Sequence, residues 1–154
     1  MECGPVAIAN IMKWAMGSVS YKRKRKEINE LCGYDSVDGC SSLQMCFAVP
    51  GIEGISIKKV ENFINVDAIS SHVKKGGAVL IGAIMKREEE DHGHFFLCVG
   101  CTGKKKRKRF VLINFQHKKT ISYLSKFKLD KVLSHVSVFP GMEMMNIGWF
   151  LSKS

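Results

Sequence analysis

The residues after Gly76-Gly77 limit the fold more than any others in this chain. Ala78 to Met85 is one continuous apolar run, as a buried strand would be. A charged loop, Lys86 to Gly93, leads to a second strand, His94 to Cys101. A basic turn, Gly103 to Lys108, leads to a third, Phe110 to Phe115. Helical patterns gather before this point and strands after it. That order predicts an α+β fold with an antiparallel sheet, not alternating βαβ units.

The front of the chain reads as helices. Cys3 to Met16 carries Ile8, Ile11, Met12 and Ala15 at helical spacing, and Gly17 is a natural stop. Pro5 lies in the first turn, where no N–H donor is needed. Ser20 to Leu31 predicts a second helix, with Ile28 and Leu31 on its apolar side and Lys22–Lys26 as its basic face. Gly33 to Cys40 reads as loop, and Ser42 to Val49 as a third helix ended by Pro50-Gly51. Ile55 to Val60 reads as a strand, and Asp67 to Lys75 as a helix closed by the two glycines. Lys126 to His135 again has helical spacing, with short strands expected at Val136 to Phe139 and Asn146 to Leu151.

A chain of 154 residues, 45% hydrophobic and 25% charged, fits one domain over 1–154 and speaks against wholesale disorder. No run approaches the roughly 20 apolar residues of a membrane-spanning helix. Nor does the start show a basic segment followed by a long apolar one, so the expected compartment is cytoplasmic. The 24 Lys+Arg against 14 Asp+Glu give a net charge of +10. That balance admits nucleic acid, an anionic membrane surface or an acidic protein as partner. The basic residues concentrate in Lys22–Lys26 and Lys104–Arg109, read as a solvated helix face and a hairpin tip. Neither run contains an aromatic residue of the kind that stacks on bases. An acidic partner and nucleic acid both stay open for them.

Six cysteines without an export signal read as reduced thiols. Cys32, Cys40, Cys46, Cys98 and Cys101 are expected to be small core hydrophobes. Cys3 differs, because it opens a helix, where the positive end of the macrodipole favours thiolate. A thiolate nucleophile needs a base, and the base needs an orienting group. A hairpin turn centred on Lys104 would set His94 directly opposite Asn114. The Asn114 amide oxygen would then accept from one imidazole nitrogen while the other faces the thiol.

The same residues resemble a family. Glu2-Cys3-Gly4-Pro5-Val6-Ala7-Ile8-Ala9 is similar to the nucleophile helix of the double-glycine leader peptidases, the papain-like domains that trim bacteriocin leaders. Asp38-Gly39-Cys40-Ser41-Ser42-Leu43 resembles that family's Asp-Gly-Thr-Ser-Leu segment. Gly77-Ala78-Val79-Leu80-Ile81 resembles its buried strand, and Gly93-His94-Phe95-Phe96-Leu97-Cys98-Val99-Gly100 its Gly-His-Phe strand. Leu112-Ile113-Asn114-Phe115 falls where the family has Asp-Pro, and Ser122 to Val132 is similar to its closing turn and helix. The motifs cover roughly residues 1–135 in order.

The resemblance implies a papain-like cysteine peptidase fold, with the N-terminal nucleophile helix packed on the sheet. It implies Cys3 as nucleophile, His94 as general base and acid, Asn114 as orienting residue, and no cofactor. Asn in the third role is papain's choice, whereas Asp is commoner in the leader peptidases. The family also has an oxyanion-hole Gln several residues before the nucleophile, and here only Met1 and Glu2 precede Cys3. Losing one such donor costs about 10²–10³ in rate. The Cys3 backbone N–H would remain as a donor, with Gln44 and Gln116 as candidate substitutes. The expected function is a small thiol hydrolase cleaving a protein or leader peptide. The competing expectation is a peptidase-like binding protein that holds a peptide, an acidic partner or nucleic acid.

Three further groups need placing. His92 is the alternative base. His92, His94, Cys98 and Cys101 are four potential zinc ligands, but on a regular strand Cys101 faces away from Cys98 unless a bulge at Gly100 turns it, and no metal is expected. Glu88, Glu89, Glu90 and Asp91 precede His94 in an exposed loop, which over a cleft would favour basic or neutral substrate residues.

Overall fold

The fold was analysed in a computed structural model that describes residues 3–17, 21–33, 42–87, 90–116, 119–135, 137–139, 142–144 and 146–154. Three helices come first: α1 (Cys3–Met16), α2 (Tyr21–Cys32) and α3 (Ser42–Ala48). Pro50 then tightens the chain into a single 3-10 turn, Val49–Gly51, where the sequence pattern had α3 run on to Val49. Strand β1 (Ile55–Asn62) and helix α4 (Val66–Lys74) follow. Next come β2 (Ala78–Arg87), β3 (Glu90–Thr102), β4 (Arg109–Gln116) and β5 (Lys119–Ser125). Helix α5 (Lys126–Ser134), β6 (Ser137–Phe139), β7 (Met142–Met144) and β8 (Ile147–Lys153) complete the chain.

Six strands form one antiparallel sheet in the order β1-β8-β2-β3-β4-β5, and β6 and β7 pair separately. The expected α+β class with an antiparallel sheet is therefore present, and α1 packs on it, chiefly against β3. Both faces of the sheet are covered. On one, Ile8, Ile11, Ile28 and Met45 of the first helices meet Leu80, Phe95, Leu97 and Trp149. On the other, Ile69, Val73, Leu129 and Leu133 of α4 and α5 meet Val79, Ile81, Phe96, Leu112 and Phe150. Because successive strand residues serve opposite layers, β2 must be apolar at nearly every position.

Some elements depart from the sequence pattern. The charged loop expected at Lys86 to Gly93 is instead the far end of a long β2–β3 hairpin, with Lys86 opposite Asp91 and Arg87 opposite Glu90. Charged residues therefore lie within strands here, and charge alone does not mark a loop. Glu88 and Glu89 lie outside the described residues. Strands β5 and β7 are not marked by the sequence pattern. The β5 alternation is inverted for an edge strand, with Ser122 buried and Ile121 and Tyr123 exposed. The Gly33–Cys40 loop lies outside the described residues from 34 onward. Among the described residues no helix is long and apolar enough to cross a membrane.

One buried side chain ties three segments together. Asn146, just before β8, accepts from the Ile64 N–H through Oδ1 at 2.7 Å and donates through Nδ2 to the Leu133 carbonyl at the end of α5. Its own carbonyl accepts from the Phe63 N–H. Asn146→Ala would leave an N–H and a C=O buried without partners, at an expected cost of about 3 kcal/mol. Urea denaturation of the variant beside the parent measures this directly; a loss below about 1 kcal/mol would show that the staple is not needed.

Candidate active site

Cys3 opens α1, as its position beside Pro5 predicts. Gly4 and Pro5 are buried, so the first turn sits against the body of the fold rather than projecting from it. The Cys3 side chain lies outside the described residues, as do residues 38–41 and the His92 side chain.

His94 is held on β3. Phe95 and Leu97 point toward α1, and Phe96 and Cys98 toward α4 and α5. His94 belongs to the second set: its ring stacks on Phe96 at 6.1 Å with a 25° interplanar angle, and the residue is 6% exposed. Phe115 meets Phe96 edge-on at 5.1 Å, so the imidazole borders an aromatic cluster.

The expected register, His94 opposite Asn114, is corrected by the structure. Strand β3 pairs with β4 from Leu97↔Ile113 to Thr102↔Arg109, with a bulge between Cys98 and Gly100. Among the described residues the ladder stops at Leu97, and β4 departs at Asn114. Between Ile113↔Ile121 and Gln116↔Lys119, β4 fits Asn114 and Phe115 against the single Thr120 of β5. Asn114 takes φ +63, the left-handed conformation that opens such a bulge and that Asn tolerates better than most residues.

The bulge brings Asn114 to His94 after all, through its backbone. His94 Nε2 lies 2.5 Å from the Asn114 main-chain carbonyl. A carbonyl only accepts, so Nε2 donates and carries the proton of the neutral ring, which makes Nδ1 the basic nitrogen. The expected orienting contact came from the Asn114 side chain; the observed one comes from the main chain. Sequence reasoning missed it because a backbone acceptor has no residue signature, although Asn at a strand irregularity is a usable signal for φ > 0.

The remaining candidates are placed as follows. The bulge at Cys98–Gly100 puts Cys98 and Cys101 in the same layer, as a zinc pair would require. However, Cys98 donates to the Gly100 carbonyl, and burial pushes its thiol up to about 12. Cys101 accepts from the Ser70 hydroxyl at 3.9 Å. No group of three or more His, Cys, Asp or Glu side chains converges among the described residues. Gln44 donates to the Gly33 carbonyl at 2.9 Å, tying α3 to the end of α2, while Gln116 sits exposed in the last β4–β5 pair. Lys22–Lys26 lines the α2 surface and Lys104–Arg109 the β3–β4 tip, as expected. Comparison of the chain with known protein families, with characterised proteins and with solved structures gave no match.

Because the backbone of Asn114 matters, Asn114→Gly should keep native stability, whereas Asn114→Ala should lose about 1–2 kcal/mol for a left-handed non-glycine residue. Long-range proton–nitrogen NMR should find neutral His94 protonated on Nε2 in the parent and the Gly variant; an Nδ1–H ring would contradict the assignment. Separately, Cys98 should resist alkylation at neutral pH in the folded protein and react only on unfolding, since a thiol titrating near 12 holds almost no thiolate there.

Proposed function

We propose that the chain is a thiol hydrolase of the papain-like type, a cysteine peptidase acting on a protein or leader peptide. Cys3 is the nucleophile, His94 Nδ1 the base, and Asn114 the orienting residue through its carbonyl. The observation that carries the reading is the His94–Asn114 bond at the point where β4 leaves β3. It fixes the imidazole tautomer, which is the task of the third member of such a site. Support for the fold comes from an N-terminal helix that opens with cysteine and packs on the antiparallel sheet carrying the histidine, whose ring lies on the α4–α5 side of that sheet.

In this reaction the thiol proton passes to His94 Nδ1 as sulfur attacks the substrate carbonyl. The imidazolium then protonates the departing amine, leaving an acyl-enzyme. Water, deprotonated by the same nitrogen, releases the acid and restores the thiol. The Cys3 backbone N–H, unpaired within α1 as every first-turn donor is, supplies one oxyanion contact.

The burial of His94 against Phe96 favours a second reading. There the imidazole is a structural latch across the open end of the ladder, and the chain is a peptidase-like binding protein for a peptide or acidic partner.

The pH dependence of iodoacetamide labelling, mapped by mass, separates the two. A thiolate–imidazolium pair lowers the labelling midpoint of Cys3 below the reference of about 8.5, and His94→Gln returns it toward that value. A midpoint at or above the reference, unmoved by His94→Gln while the variant melts earlier, supports the latch.

A further inference from the structure

The Lys104–Arg109 run and the first turn of α5 take no part in the proposed hydrolysis, yet the fold brings them together. Gly103 (φ +77) bends the end of β3 into the 3-10 turn Lys105–Arg107; a Cβ there would lie 2.4 Å from the Arg107 carbonyl oxygen. The basic run is therefore a tight curl and not an extended loop. Lys105, Lys106 and Lys108 form one wall of a cavity of about 770 Å³, and the starts of α4 and α5 form the other.

In that second wall stands Phe127, 78% exposed, the most exposed large apolar side chain among the described residues. Two lysines are fixed in place. Lys108 donates to Ser70 Oγ at 3.1 Å, and Lys126 pairs with Asp67 at 2.9 Å. The second contact holds the Asp67 carboxyl below its ordinary range and neutralises one of the two acids in the lining. Lys105 and Lys106 have no acidic partner among the described residues.

A solvated tip needs no aromatic neighbour, and an acidic peptide needs only the cations. An exposed phenyl ring beside a row of ammonium groups suits a ligand that has both flat rings and anions at regular spacing. We propose that this cavity binds single-stranded nucleic acid, with a base stacked on Phe127 and successive phosphates on Lys105, Lys106 and Lys108. The basic face of α2 differs among the described residues: Lys22, Arg23, Arg25 and Lys26 border a depression of similar size whose described lining holds no aromatic.

Fluorescence anisotropy of a labelled oligouridylate of about twelve nucleotides, titrated at several salt concentrations, tests this. Binding is expected, with a salt slope near −2 for three phosphate contacts. Phe127→Ala should weaken binding roughly five- to a hundred-fold without changing the slope, and Phe127→Tyr should restore it. Lys105→Gln with Lys106→Gln should reduce the slope by about 1.4. Melting curves confirm that each exposed-site variant is folded. The proposal is overturned by no binding, by full affinity in Phe127→Ala, by equal affinity for the matching duplex, or by equal competition from oligoglutamate, which would make the surface an acidic-protein site. Loss of binding only on neutralising Lys22–Lys26 would overturn it too.

Discussion

A main-chain carbonyl released from a sheet ladder needs another donor. At Asn114 that donor is the His94 imidazole. Much of the local architecture serves this one bond. The β4 bulge turns the carbonyl out of the ladder, and the left-handed Asn114 makes the bulge. The β3–β4 pairing ends at Leu97, three residues after His94. Phe96, with Phe115 edge-on behind it, then limits how the imidazole can turn. A ring held by stacking on one side and a carbonyl at one nitrogen has a single tautomer and a single rotation. Those are the properties a base needs.

Rigidity at that point depends on the sheet being covered on both sides. Helices α1 to α3 fill one face and α4 and α5 the other. Strand β8 lies between β1 and β2, so the last described strand fills an interior place in the sheet. Close packing there leaves no room for side chains at some positions. A Cβ on Gly148 would lie 2.8 Å from Ile64, and one on Gly77 would lie 2.3 Å from the His72 ring, which itself meets the Leu151 carbonyl. The candidate site sits at the end of this core, where ladder pairing gives way to side-chain contacts.

The sequence was legible where one physical signal dominated. Helix α1 has both its boundaries written in Cys3, Pro5 and Gly17, and the structure starts and stops it there. The apolar run from Ala78 announced a buried strand, and the structure buries it on both faces. Reading failed where signals competed. Charge at Lys86 to Asp91 suggested loop, although Lys86 and Asp91 pair across strands. In β5 the inward position went to Ser122 and the outward ones to Ile121 and Tyr123, which hides the alternation. At the site, a regular β3–β4 hairpin was expected to set the His94 ring against the Asn114 amide, and the hairpin is irregular. Two bulges shift the register, and a backbone oxygen takes the contact assigned to an amide. The nearness of Phe127 to Lys105 and Lys106 is a tertiary fact that no local window contains.

The central claim is that the Cys3 thiol and the His94 imidazole face each other and act on one substrate bond. A short bis-electrophile such as dibromoacetone tests it most directly, because it bridges a thiol and an imidazole only when the two face each other. The account predicts a Cys3–His94 cross-linked peptide pair by mass mapping, formed in the folded protein and absent in folded His94→Gln. Complete single-ended alkylation of Cys3 with no bridge, or a bridge to His92 in place of His94, would contradict it.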